Sequence, residues 1–371
     1  MAFTKVYNGA GSGATAGDYA DSRNWELISL RTAAFAWTAS GSGTSEYYVR
    51  TAASGNPGFA ATPPTSNGVY INGTSATKGT LGALTAGQWG YGDNDSLGYS
   101  TVYVRLSGGG DPDAQVADYV QFRQIPQAAE NVRIPPGSGN ISSNLDQSAV
   151  AIADFIRAEG HEGTIGSATG FLRIDPDRLE HSGTGQAWID IGTAAISPRV
   201  LQTGSAVEGE RGLYLRGTAI SVLDITGGDV GLASLPGELA TATTVRVLGD
   251  DTSLWIGNGV TLTNLHQYGG EVRVRCAVTT VIIYDGDHIT EENGAMTTVT
   301  LKAGTYVYKS SGNITTFNLY GGELDLRQSG VARTISTLNK YAGSSRIIRN
   351  KEAVTITTET PQDTYTESIS G

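Results

Sequence analysis

The chain has 371 residues, with 25 Lys and Arg against 36 Asp and Glu, a formal charge of −11 and a pI near 4.9. Such an acidic balance repels phosphate backbones and disfavours sequence-independent nucleic-acid binding. Cys276 is the only cysteine, which excludes an intrachain disulfide framework, and no apolar run approaches the ~18 residues of a membrane helix. The 50 glycines are about twice the usual ~7%. Without a Gly-X-Y period they predict many tight turns between short strands, an all-β chain with a hydroxyl-rich surface.

The N-terminus, Met1 to Gly9, lacks the apolar core of a signal peptide, so a soluble product made without Sec export is expected. Residues 1–30 read as an N-terminal arm or first β-layer, with Asn24-Trp25 placed to cover an open end. Residues 31–110 read as a smaller, antiparallel, β-sandwich-like domain. Its candidate strands are Ala33–Ala39, Glu46–Thr51, Gly68–Ile71 and Thr101–Leu106, separated by Gly, Pro, Ser and Asn clusters. Trp37, Tyr47, Tyr48, Trp89, Tyr91, Tyr99 and Tyr103 crowd this part; they fill a core or furnish a contact surface.

Ser107-Gly108-Gly109-Gly110-Asp111-Pro112-Asp113 is the candidate linker. Residues 111–349 are then read as a right-handed parallel β-helix, a solenoid. Asp118–Phe122 and Asn131–Gly137 are taken as its first rungs or cap, and Ala149–Ala158, where helix competes with strand, as strand. The signal is clearest from Val222 to Ile347. There Leu223-Asp224-Ile225-Thr226-Gly227-Gly228 is echoed by Leu265-His266-Gln267-Tyr268-Gly269-Gly270 and by Phe317-Asn318-Leu319-Tyr320-Gly321-Gly322. Gly228, Gly249, Gly270, Gly286, Gly304, Gly322 and Gly343 mark steps of 21, 21, 16, 18, 18 and 21 residues. Each unit has an apolar face that it cannot bury alone, so neighbours must stack. Thr298, Thr300 and Lys302 should then face outward, with Val299 and Leu301 inward. Residues 350–371 lose the glycine marker and read as a C-terminal tail, an arm or a terminal strand reaching a neighbour.

Several patterns in the sequence bear on chemistry. Paired carboxylates on a solenoid flank can hydrolyse glycosides, and the pairs are Asp285 with Asp287, Glu291 with Glu292, and Asp175 with Asp177. An acidic turn explains Asp285 and Asp287 equally. Gly92-Asp93-Asn94-Asp95-Ser96-Leu97-Gly98 has oxygen donors at alternate positions like a calcium loop, but Leu97 stands where a further ligand belongs; an Asx turn is the alternative. His161, His181, His266 and His288 have no metal-ligand spacing, and neither a Gly-x-Ser-x-Gly elbow nor a phosphate loop is present. Cys276 alternates with Val272 and Val274, the pattern of a core thiol. No catalytic, cofactor-binding or metal residue is assigned.

Gly87-Gln88-Trp89-Gly90-Tyr91-Gly92-Asp93-Asn94-Asp95-Ser96-Leu97-Gly98-Tyr99, followed by Thr101-Val102-Tyr103-Val104-Arg105-Leu106, resembles a module of tailed-bacteriophage virion structural proteins, in which an N-terminal β-module precedes a glycine-marked parallel β-helix. The resemblance implies a non-enzymatic virion component without a cofactor. It implies a homotrimer in contact with the major capsid protein or other virion proteins, located in the virion after assembly in the host cytoplasm. Capsid decoration or cement is the first expectation. The alternatives are a receptor-binding tail spike or fibre recognising host surface glycan, an enzyme degrading polysaccharide through Asp285 or Asp287, and a bacterial surface adhesin. Functional contacts are expected in the aromatic domain before Leu106 and in the C-terminal tail.

Overall fold

In a computed structural model of the chain, the structure describes residues 4–7, 16–19, 25, 28–29, 35–51, 69–71, 74–98, 100–112, 120–122, 126, 129–204, 210–327, 332–341, 345–349, 354–360 and 366–369. Strands are the only regular elements among them. They fall into two compact units, residues 1–132 with 138–144, and residues 133–137 with 145–371.

The first unit holds two sheets. One orders Phe35–Ala39, Tyr47–Thr51, Thr101–Arg105, Gln88–Gly92 and Thr77–Lys78, antiparallel except for its last pair. The other orders Ile28–Ser29, Val120–Phe122, Val69–Ile71 and Thr74–Ser75. Trp37, Val49, Trp89, Val102 and Val104 from the first sheet share a core with Val69 and Ile71 from the second. Tyr48 and Tyr103 pack with Leu84 in a smaller cluster. Trp25 is fully buried between the edges of Tyr7 and Tyr19, its indole N–H donating to the Tyr19 carbonyl at 3.0 Å.

Val120–Phe122 corrects the sequence reading: it belongs to this unit, antiparallel to Val69–Ile71, and is not a first rung. A three-residue Val-Gln-Phe strand looks the same in either sheet type, and only its partner decides.

The second unit is a parallel β-solenoid of about eleven coils. Asp146–Arg157 is its first long strand, paired in parallel with Leu172–His181, so the alanine-rich stretch is strand as read. From Ile220 onward each coil contributes one longer strand and one shorter strand, and each pairs with the equivalent strand one coil further on. At ~4.8 Å per coil the stack rises about 50 Å.

Inward positions form unbroken columns. Leu223, Val245, Leu265, Val281, Val299, Phe317 and Leu338 are in register and fully buried. Val272, Val274 and Cys276 all face inward as the alternation requires. Burial raises the Cys276 thiol to about 12, so it stays protonated and unreactive. The glycine markers have a steric cause. Gly286 and Gly304 stand at one corner with φ of +90° and +77°, and a Cβ on Gly304 would lie 2.2 Å from the Gly286 carbonyl oxygen.

Val354–Thr360 and Thr366–Ile369, set apart above as tail, pair in parallel with Arg333–Lys340 and Ser345–Arg349 of their own chain. The last two coils also change the columns' chemistry. Leu338 is followed by Glu359, Leu319 by Lys340 and Leu326 by Arg349. Lys340 Nζ and Arg349 Nη2 lie 2.8 and 2.7 Å from Glu359 Oε1. An ion cluster thus closes the apolar stack, the polar outer face that a terminal solenoid repeat requires.

Candidate functional site

The solenoid repeats its outward side chains as columns, so its surface is best described column by column. On the longer strands, Thr244, Asn264, Thr280, Thr298, Thr316, Thr337 and Thr358 stand in register. Beside them Asn318 donates to Thr300 Oγ1 at 3.4 Å, Asn339 to Asn318 Oδ1 at 2.9 Å and Thr360 to Asn339 Oδ1 at 2.8 Å. Thr298 and Thr300 face outward as read, and the neighbouring coils hold their amides and hydroxyls in place.

The corner after each longer strand carries a second column: Leu248, Tyr268, Tyr284, Lys302, Tyr320 and Tyr341. Each backbone N–H bonds to a carbonyl of the preceding coil, for example Tyr284 to Gln267 at 2.7 Å and Lys302 to Ile283 at 2.9 Å. Tyr268 stacks on Tyr284 with centroids 4.4 Å apart and planes 4° from parallel; Tyr320 and Tyr341 do so at 4.1 Å and 2°. Lys302 Nζ sits 4.4 Å over the Tyr284 ring. Among the described residues, four of the five exposed large apolar side chains, Leu248, Tyr268, Tyr320 and Tyr341, belong to this column.

The shorter strands carry a third column. Trp188 and Tyr214 stack at 5.3 Å, Gly231 leaves a gap, and Arg211 lies 3.8 Å over Trp255. Arg216 covers Phe171 at 4.0 Å and binds Asp190 at 3.0 Å, with Glu238 Oε1 at 3.8 Å. Trp188 Nε1 and Glu238 Oε1 are buried without a hydrogen-bond partner. Burial raises the Glu238 carboxyl pKa, partly offset by the Leu235 N–H and by Arg216.

The carboxylate pairs read from sequence lie at corners and on outward strand positions. Asp285 accepts the Gly286 N–H of its own corner at 2.8 Å, and Asp287 stands in an outward row between Glu271 and Thr305. Glu291 and Glu292 pair with Arg273 and Arg275. Asp175 and Asp177 flank the inward Pro176 on the outward side of their strand.

The 92–98 loop is a turn held by its aspartates. Asp93 accepts the N–H groups of Leu97 and Gly98 at 2.6 and 2.9 Å, and Asp95 accepts Gly41 N–H and Ser40 O–H at 2.7 and 2.8 Å. Among the described residues, no group of three or more His, Cys, Asp and Glu stands close enough to hold a metal.

Three of the four histidines, His161, His181 and His288, are fully buried. Arg157 is fully buried and donates to His161 Nδ1 at 2.8 Å and to the Gly163 carbonyl at 2.7 Å, with His181 Nε2 at 3.4 Å. Burial and then the Arg157 charge keep the His181 pKa well below the ordinary value. His288 faces inward, its Nδ1 3.0 Å from Gln267 Oε1 and its ring stacked on Tyr306 at 5.0 Å. Beside it the Thr290 and Tyr306 hydroxyls meet at 2.7 Å.

The aromatic residues before Leu106 are core rather than contact surface: Trp37, Tyr48, Trp89 and Tyr103 are buried, and Tyr47 and Tyr91 pack half-buried against them. Tyr99 lies outside the described residues. The corner tyrosines were missed as a site although their signal was present. Tyr268, Tyr284, Tyr320 and Tyr341 each precede a marker glycine by two residues.

These features define a parallel β-solenoid protein with a separate N-terminal β-unit. No family model, characterised protein or solved structure matches the chain.

Proposed function

We propose that the chain is a non-enzymatic structural protein of a bacteriophage virion, a capsid decoration or cement protein that binds the coat shell as a homotrimer. The observation that carries this reading is the set of in-register outward columns. Thr, Asn and stacked Tyr repeat at ~4.8 Å on a hydrogen-bonded ladder, which offers neighbours a rigid contact surface at little cost in side-chain entropy. The virion is the corresponding location, after assembly in the host cytoplasm. Electron microscopy of particles labelled with an antibody against this chain tests the reading. Label over the capsid faces is expected, and label confined to the tail tip would refute it.

One observation favours a second reading, a spike recognising host surface glycan. The Phe171, Trp188 and Tyr214 cluster adjoins Asp190, Arg216 and Glu238, and two buried polar atoms there are unsatisfied. The three rings are buried in a cluster with Leu235; aromatic rings beside convergent polar groups are sugar-binding chemistry where a ligand displaces such a cover. Retention of the protein on immobilised host lipopolysaccharide or capsule, abolished in Trp188→Ala, would establish this reading. Equal retention of the two proteins would remove it.

A further inference from the structure

In the corner column stacking takes one face of each paired tyrosine, and Lys302 takes the second face of Tyr284. In the Tyr268–Tyr284 and Tyr320–Tyr341 pairs each ring covers its neighbour at 4.4 and 4.1 Å, and Lys302 sits over Tyr284. What faces solvent is a row of ring edges and hydroxyls. A sugar packs on an open aromatic face, and the stacked pairs leave none between their rings, whereas their exposed apolar edges are area that a protein surface can cover. The column is therefore built for protein.

Charge says which protein. Among the described residues Lys302 has no carboxylate within ion-pair distance, and its partner is the Tyr284 ring. Asp285, one coil earlier at the same corner, is exposed and bonds only to the backbone of its own turn. In parallel copies placed in register, each tyrosine layer meets itself. The lysine layer then lies ~4.8 Å from the aspartate layer, within reach of cross-copy ion pairs.

We propose that the column from Leu248 to Tyr341 is the face that three copies of this chain bring together, in parallel and in register, about a three-fold axis. The inference rests on the homotrimer of the preceding reading and assigns its contact face. A closed three-fold assembly buries the exposed apolar edges of all copies at once and leaves none to template further association.

Size-exclusion chromatography with light scattering at micromolar concentration tests it on the full chain. Wild type is expected to be a trimer, Tyr268→Glu/Tyr320→Glu a monomer with unchanged far-ultraviolet circular dichroism, and the control Leu239→Glu a trimer. Among the described residues Leu239 is the most exposed large apolar one, and it lies outside the column. A wild-type monomer would overturn the trimer itself. A trimer that survives both tyrosine substitutions would overturn only the face.

Mild oxidation of Tyr320→Cys fixes the direction. Parallel copies give a disulfide between two residues 320, and the buried Cys276 does not compete. A disulfide that forms only when Tyr268→Cys is mixed with Tyr320→Cys marks antiparallel copies and overturns the three-fold arrangement. So does a wild-type dimer.

Discussion

The buried His288 should make this protein acid-sensitive in a way that one pair of substitutions removes. His288 is fully buried, and burial depresses its pKa to about 3, against about 6.5 for an unfolded histidine. Below that unfolded value the denatured chain takes up a proton that the native chain refuses. The associated stability is therefore complete above about pH 6.5 and is lost as pH falls towards the native value. Each pH unit is worth about 1.4 kcal/mol, so at about pH 5 the loss is ~2 kcal/mol, and near pH 3 it is on the order of 4–5 kcal/mol.

The perturbation is Gln267→Leu/His288→Phe. The glutamine's column neighbours are Val247 and Ile283, and a phenyl ring at 288 keeps the stack on Tyr306. Replacing both side chains by apolar groups strands neither of them, and the Gln267 amide bonds to the Gly270 and Asp287 carbonyls that are lost with it do not depend on pH. Denaturant unfolding followed by circular dichroism, repeated from neutral pH to about pH 5, should show wild type losing ~2 kcal/mol more than the variant. His181 and every carboxylate titrate in both proteins and cancel in the difference. Stability curves that run parallel within ~0.5 kcal/mol would refute the reasoning, because His288 would then accept its proton without leaving the core.

Gly304→Ala should cost about 3 kcal/mol, combining a left-handed φ with a Cβ 2.2 Å from the Gly286 oxygen. Gly237→Ala, at φ +80° with nothing within 4 Å of its Cβ, should cost only about 1–2 kcal/mol. Equal costs in thermal melts would show that coil-on-coil packing does not select the marker glycines. Glu359→Gln leaves the almost wholly buried Lys340 short of its counter-charge. We expect a loss of about 2 kcal/mol, below the ~3–5 kcal/mol of a fully enclosed pair because Glu359 is 29% exposed. Burial pushes the Glu359 carboxyl up, but hydrogen bonds from Arg349 and Lys340 more than offset it and hold its pKa low. The difference from the variant should accordingly be present at neutral pH and shrink as the solution becomes acid enough to protonate Glu359. Chelator should leave the melting temperature unchanged, since the Asp93 and Asp95 oxygens already accept N–H and O–H groups. Asp93→Ala should instead destabilise by about 1–2 kcal/mol through the lost turn bonds. A chelator effect as large as that substitution would restore the calcium reading.

The solenoid was legible from Val222 onward because each coil must bring an apolar strand face and a corner glycine to the same place. Stacking turns a local steric rule into a sequence period, as the Gly286–Gly304 contact shows. The same logic made Thr298, Thr300 and Val299 predictable in direction, and placed Cys276 inside. Val120–Phe122 was not legible, because a three-residue Val-Gln-Phe strand does not specify a partner. The last coil lost its marker glycine yet kept the pairing, since backbone hydrogen bonds need no particular side chain.

The absence of a disulfide framework and an acidic, hydroxyl-rich, all-β chain were settled by residues alone. What the residues make when they meet was settled only by packing. Tyr268 and Tyr284 are 16 positions apart in the chain yet stack at 4.4 Å, and Gln267 and His288 become a buried pair only when the coils superpose. The physical reason is that a column runs across the strands, at right angles to the chain. Sequence order records its members singly, and only the stack brings them together.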